Sequence, residues 1–175
     1  QKRKRLMSSR KLEHYVPVVK LDGLNTNKPV TFGSTLAVTG AVTFSGAVTA
    51  SGGLLRQVEN VAADKAVTSA MSGRMFVNTK GATTTTFTLP AAEAGLTYTF
   101  VEGNAAGEIL ITPATGDAIV GKIHAAQDGT ALAPAAGTGI KNTAATNVAG
   151  DTVTITALDA TTWYITSQTG LWASQ

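Results

Sequence analysis

Thr83-Thr-Thr-Thr-Phe-Thr-Leu-Pro-Ala-Ala-Glu-Ala-Gly-Leu-Thr-Tyr-Thr-Phe-Val101 holds two strand signals with a break between them. Side chains on an extended chain alternate between two faces. In Thr83–Leu89 this puts Phe87 and Leu89 on one face of a threonine run. In Thr97–Val101 it turns Tyr98 and Phe100 inward together. Pro90–Gly95 interrupts the two with turn residues. The same grammar recurs on both sides of this stretch. Arg74–Thr79 carries Met75, Phe76 and Val77. Gly107 precedes Glu108–Thr112, Gly116-Asp117 precedes Ala118–Val120, and Gly150-Asp151 precedes Thr152–Thr156. Thr161–Ser167 carries Trp163 and Ile165. Threonine and β-branched residues suit a pleated, half-exposed surface. Short strands at this spacing predict an all-β sandwich or barrel over residues 54–175, and about 110 residues can bury a real core. Asp64–Ala70 is the exception, expected as one or two helical turns.

Residues 24–53 follow another rule. In steps of six they read Leu24-Asn-Thr-Asn-Lys-Pro, Val30-Thr-Phe-Gly-Ser-Thr, Leu36-Ala-Val-Thr-Gly-Ala, Val42-Thr-Phe-Ser-Gly-Ala and Val48-Thr-Ala-Ser-Gly-Gly. The first position is always Leu or Val, and the third shares its face. Gly40, Gly46 and Gly52 stand at the fifth, where the backbone can bend or approach another chain closely. A single-chain β-helix of hexads needs many stacked coils. Four clear hexads are too few to bury Val30, Phe32, Leu36, Val38, Val42, Phe44 and Val48. A meander turning at Gly40-Ala41 and Ser45-Gly46 would have strands of three or four residues, which are marginal in water. Copies of the chain wound about a common axis would instead bury one another's apolar positions. Threefold winding suits a six-residue period, so the segment is expected to be a trimeric stalk.

The charge of +3 is unevenly placed. Residues 1–20 hold seven of the fourteen Lys and Arg and one acid, a net of +6; residues 21–175 hold seven bases and ten acids, a net of −3. Residues 1–23 thus form a basic arm. It lacks apolar periodicity and ends at Tyr15-Val-Pro17-Val-Val, where the proline holds its predecessor extended. Lys2, Arg3, Lys4, Arg5, Arg10, Lys11 and Tyr15 are its candidate anchoring residues, facing some acidic surface. A nucleic-acid site would need the bases on a folded surface with several stacking aromatics, and only Tyr15 is near, so no nucleic-acid partner is expected. Lys2–Arg5 could start a secretory signal, but Ser8, Ser9, Arg10, Lys11 and Glu13 break the apolar segment that should follow. Apolar runs such as Ile109–Ile111 are far short of the ~20 residues a spanning helix needs, and no membrane partner is expected.

Composition narrows the chemistry. Thr 28, Ala 28 and Gly 18 supply much of the 175 residues, and only 14% are charged, against about 25% in an average domain. Without cysteine there is no disulfide framework, thiolate zinc site or thiol nucleophile. His124 has Asp117 and Asp128 nearby in sequence, but both aspartates adjoin glycine, which is turn grammar. A surface or packing histidine is the expectation, with no catalytic residue, metal or cofactor. The scattered acids do not form the paired carboxylates of glycoside cleavage. Trp163, Tyr164 and Trp172 could offer a sugar-stacking platform. Alternation puts Trp163 and Tyr164 on opposite faces, leaving Tyr164 and Trp172 as the candidate glycan-facing pair.

The run Val30-Thr-Phe-Gly-Ser-Thr-Leu-Ala-Val-Thr-Gly-Ala-Val-Thr-Phe-Ser-Gly-Ala resembles the repetitive stalks of tailed-bacteriophage fibres and head-decoration proteins. The body resembles a β-domain of such virion proteins. Its matching stretches are Phe87-Thr-Leu-Pro-Ala-Ala, Gly95-Leu-Thr-Tyr-Thr-Phe-Val, Ile111-Thr-Pro-Ala-Thr-Gly-Asp, Ile140-Lys-Asn-Thr, Gly150-Asp-Thr-Val-Thr and Trp163-Tyr-Ile-Thr-Ser. The resemblance covers roughly residues 24–175. It implies a non-enzymatic homotrimer on the virion, with its N-terminus toward the particle. The expected role is capsid decoration, cement or head fibre, with the major capsid protein as partner of the arm. The alternatives are a short tail fibre or receptor-binding module recognising host glycan, and a polysaccharide-degrading enzyme, which the scarcity of acids disfavours.

Overall fold

The protein was analysed as a computed structural model. It describes residues 55–104, 106–124, 131–132 and 139–175, the pair 131–132 as backbone only, with isolated positions at 38, 39, 42, 43, 47, 48 and 50. The chain divides into two compact units, Gln1–Thr49 and Ala50–Gln175. The strands described below belong to the second. The anchoring arm and most of the hexads lie outside the described residues.

The second unit is all-β, with two main sheets. Its strands are β1 (Val58–Val61), β2 (Lys65–Ala66), β3 (Met75–Asn78), β4 (Thr84–Thr88), β5 (Thr97–Glu102), β6 (Glu108–Thr112), β7 (Ala118–Val120), β8 (Ile123–His124), β9 (Ala131–Leu132), β10 (Ile140–Asn142), β11 (Thr152–Ala157), β12 (Thr162–Thr169) and β13 (Ala173–Ser174). One sheet runs β1-β3-β5-β11-β12-β7 and the other β13-β10-β6-β4-β2, while β8 and β9 form a separate hairpin. Both main sheets have open edges among the described residues, so the unit is a sandwich of two sheets and not a closed barrel.

From β1 to β6 the chain changes sheet at every strand. Successive strands within a sheet are therefore parallel: β1 with β3, β3 with β5, β2 with β4, and β4 with β6. A parallel pair needs a crossover of a dozen or more residues. Here the crossover is itself a strand of the opposite sheet. Met75 lies opposite Thr99 and Thr84 opposite Glu108, so neither pair could be joined by a hairpin. Three further strands add antiparallel partners: β10 joins β6, β11 joins β5, and β12 joins β11 with a register shift at Thr154/Ile155, while β7 pairs parallel with β12 at the sheet edge.

The expected helical turns at Asp64–Ala70 are corrected by this winding. Lys65–Ala66 pairs with Phe87–Thr88 as a short strand, and only Ser69–Met71 makes a single 3-10 turn. A segment crossing from one sheet to the other gains more from completing β4's edge than from a lone helical turn, whose nucleation is unfavourable.

Alternation delivers the core as expected. Phe76, Phe87, Tyr98, Phe100, Ile109, Ile111, Val153, Ile155 and Trp163 are fully buried. Their rings bridge the sheets: the Phe87 centroid on β4 lies 4.9 Å from that of Phe100 on β5 and 5.9 Å from that of Phe76 on β3. Phe76 also stacks on Phe100 at 5.6 Å. Tilted and offset rings at these distances add to the gain from area buried. The Tyr98 hydroxyl donates to the Thr68 carbonyl at 3.0 Å, so this ring is buried without stranding its polar end.

Phe76→Ala should cost about 3–5 kcal/mol, because it empties the point where three other aromatics converge. Leu158→Ala, on an exposed loop residue, should change stability by no more than about 0.5 kcal/mol. Denaturant unfolding of the two variants checks the difference.

Candidate functional site

At one end of the sandwich the inward positions change from apolar to polar. Asn78 follows Phe76 by two residues on β3, Glu102 follows Phe100 on β5, and Asn142 follows Ile140 on β10. All three are fully buried, as is Thr85 on β4. Asn78 and Glu102 are register partners. Thr85 and Asn142 both lie opposite Ile109. Asp151, just before β11, shares backbone hydrogen bonding with Glu102: the Glu102 N–H donates to the Asp151 carbonyl at 2.8 Å. In the six-stranded sheet the polar residues are adjacent, whereas in the five-stranded sheet Thr85 and Asn142 flank the buried Ile109.

The hydrogen bonds account for the arrangement. Asn78 Nδ2 donates to both carboxylate oxygens of Glu102, at 3.0 and 3.2 Å. Asn78 Oδ1 accepts from Thr85 Oγ1 at 2.7 Å and from the Lys80 N–H at 3.1 Å. The Asn104 N–H donates to Glu102 Oε1 at 3.1 Å. Asn142 Nδ2 donates to Asp151 Oδ2 at 3.0 Å and to the Leu171 carbonyl at 2.9 Å, and the Val148 N–H donates to the same carboxylate oxygen. Asn147 Nδ2 donates to the Gly107 carbonyl. Burying a carboxylate is costly unless donors replace water, and here the donors are amides. Asn142 Oδ1 and Asn147 Oδ1 are buried without a partner among the described residues.

Glycines let the backbone close around this end. At Gly170, φ is +78° and a Cβ would strike the Asp151 carboxyl. At Gly103 a Cβ would collide with the Asn78 carbonyl. Only glycine fits such positions at no cost.

At the edge of the six-stranded sheet, Glu59 joins three elements. It accepts from Lys65 Nζ at 2.6 Å and from Arg74 Nη1 at 3.2 Å. The Lys65 hydrogen bond, followed by its charge and by Arg74, holds the Glu59 carboxyl below its ordinary value of 4.5. Asp64 is likewise held low, chiefly by the Lys80 ammonium 2.9 Å away and by the Thr86 N–H.

The residues singled out from sequence fare unequally. Lys2, Arg3, Lys4, Arg5, Arg10, Lys11, Tyr15, Val30, Phe32, Leu36 and Phe44 lie outside the described residues. Val38, Val42 and Val48 are 50%, 51% and 56% exposed in the single chain. Trp172 is corrected: it is buried at 1%, its Nε1 donating to the Thr169 carbonyl at 3.0 Å and its backbone N–H to the His124 carbonyl. It faces the core because β13 folds back onto β10, and it offers no surface for a sugar. Tyr164 is half-buried on β12, with Trp163 on the opposite, inward face. His124 is exposed on β8, while Asp117 is buried and accepts from the Ala92 N–H at 2.8 Å. Asp117 therefore serves a loop and not an imidazole. Among the described residues no group of three or more His, Asp or Glu is placed to hold a metal ion, and no helix is long and apolar enough to cross a membrane.

The buried polar end was missed from sequence, although its signal was present. Extending each period-two pattern by one step, from Phe76 to Asn78, Phe100 to Glu102 and Ile140 to Asn142, picks out its members. No protein-family model matches the chain, and no curated protein matches it.

Two predictions follow from these side chains. Glu102→Leu should cost about 2–3 kcal/mol in denaturant unfolding, because Asn78 Nδ2 and the Asn104 N–H lose their acceptor inside the protein. Glu59 gives a pH dependence. Its folded value is depressed, so its stabilisation is complete above 4.5 and is lost as pH falls through the lower folded value. The stability difference between the protein and Glu59→Gln should be level above that range and shrink below it, with a plateau under about 1 kcal/mol. Unfolding curves across an acid series measure it.

Proposed function

We propose that the chain is a non-enzymatic structural protein of a bacteriophage virion, a capsid decoration or cement protein or a head fibre on the capsid exterior. The arm, residues 1–23, anchors it to acidic surface of the major capsid protein. The hexads of residues 24–53 join three copies into a stalk, and the β-body stands outside. The observation that carries this reading is the exposure of Val38, Val42 and Val48, each about half-open in a single chain although the repeat keeps these positions apolar. Apolar side chains half-open in a single chain are suited to burial against other copies. Three arms of +6 would multiply weak, salt-sensitive attachments through effective concentration.

The buried polar end supports a structural part more than an enzyme, because its carboxylates are enclosed and taken up by amide donors. The alternative of a short tail fibre or glycan-recognition module loses Trp172 as a stacking surface and keeps only Tyr164.

Deleting residues 1–20 should abolish binding to purified capsids and leave the assembly of copies intact. Co-sedimentation with particles, scored by gel densitometry, measures it. Retained binding would overturn the anchoring role of the arm. Hundreds of copies per particle fit decoration, whereas a few tens or fewer would favour the tail-fibre alternative.

A further inference from the structure

The two outer faces of the sandwich differ in charge. On the five-stranded sheet the outward positions include Glu108 and Lys141. On β1, β3, β5 and β11 of the six-stranded sheet, every outward position is apolar, threonine or asparagine. Val58, Met75, Val77 and Val101 form its apolar half. In the other half the threonine hydroxyls are hydrogen-bonded to one another across strands, Thr97 to Thr156 at 3.0 Å and Thr99 to Thr154 at 2.8 Å. A hydroxyl that already has a protein partner loses less on leaving water than a free one. The outward positions of these four strands are therefore cheap to desolvate, and the Arg56 guanidinium that lies over Thr99 already has protein acceptors.

The chain itself says what meets this face. The body begins at its edge: Leu55 is fully exposed, and Val58 on the edge strand is 57% exposed. Arg56 lies between them, its guanidinium donating to the carbonyls of Gly73 and Arg74 and to Thr99 Oγ1 at 2.7 Å, on the outward side of the sheet. In sequence, five of the seven large apolar residues exposed among the described residues, Val38, Val42, Val48, Leu55 and Val58, come before or within β1. Copies joined through residues 24–53 would thus bring their bodies together from the β1 side. We propose that the outer face of the six-stranded sheet, from Val58 to Val77, is where the bodies of neighbouring copies of this chain meet. This inference rests on the trimeric stalk proposed above.

The chain has no cysteine, so single thiols can be placed cleanly. Val58→Cys and Leu158→Cys start from matched exposure, 57% and 59%, with Leu158 on the loop after β11, outside the β1–β3 stretch from Val58 to Val77. In the complete chain, maleimide should modify Val58→Cys about tenfold or more slower than Leu158→Cys. The difference should vanish when Phe44→Asp breaks the stalk into monomers. Equal rates in an intact trimer would overturn the body contact and leave the stalk standing. Protection that persists in the Phe44→Asp monomer would mean that the face is covered by its own chain, and would also overturn the proposal. A complete chain that is monomeric by gel filtration would defeat the stalk and this inference together.

Discussion

Phe76, Phe87 and Phe100 come from three successive strands of a chain that changes sheet at each one, and their rings meet between the sheets. That contact holds the winding together. Each crossing strand has neighbours in its own sheet that are distant in sequence, so no local hairpin fixes β1 to β6. What fixes them is burial of alternate side chains against the opposite sheet. A slip of one residue would turn Phe76 or Phe100 to solvent and bring Met75 or Thr99 inward.

The polar end reinforces the same register by another means. Asn78, Glu102 and Thr85 satisfy one another only when β3, β4 and β5 sit as they do. A displaced register would leave a buried carboxylate or amide without its partner, which costs more than losing an apolar contact. The outward positions are free of that constraint, and they differ between sheets: charged residues on one, paired threonines and valines on the other.

Much of the body was legible in its sequence. Phe87, Tyr98, Phe100 and Trp163 announce their faces by alternation, and glycine or proline marks most strand ends. The crossing between sheets was not legible, because a parallel partner many residues away leaves no local trace. Lys65–Ala66 looked helical for that reason; its strand exists through pairing with Phe87–Thr88. Trp172 looked like a surface aromatic because two residues of strand at the chain's end carry no pattern of their own. Glu102 and Asn142 were overlooked because polar residues are usually read as outward, and these sit on inward steps.

The body explains its own stability, whereas the valines at 38, 42 and 48 are about half-exposed in one chain. Everything proposed about the protein's role turns on whether other copies cover them. Sedimentation equilibrium of the complete chain over a range of concentrations tests this most directly. The predicted mass is three times the 17.9 kDa of one chain, and a mass of 17.9 kDa at every concentration would contradict it.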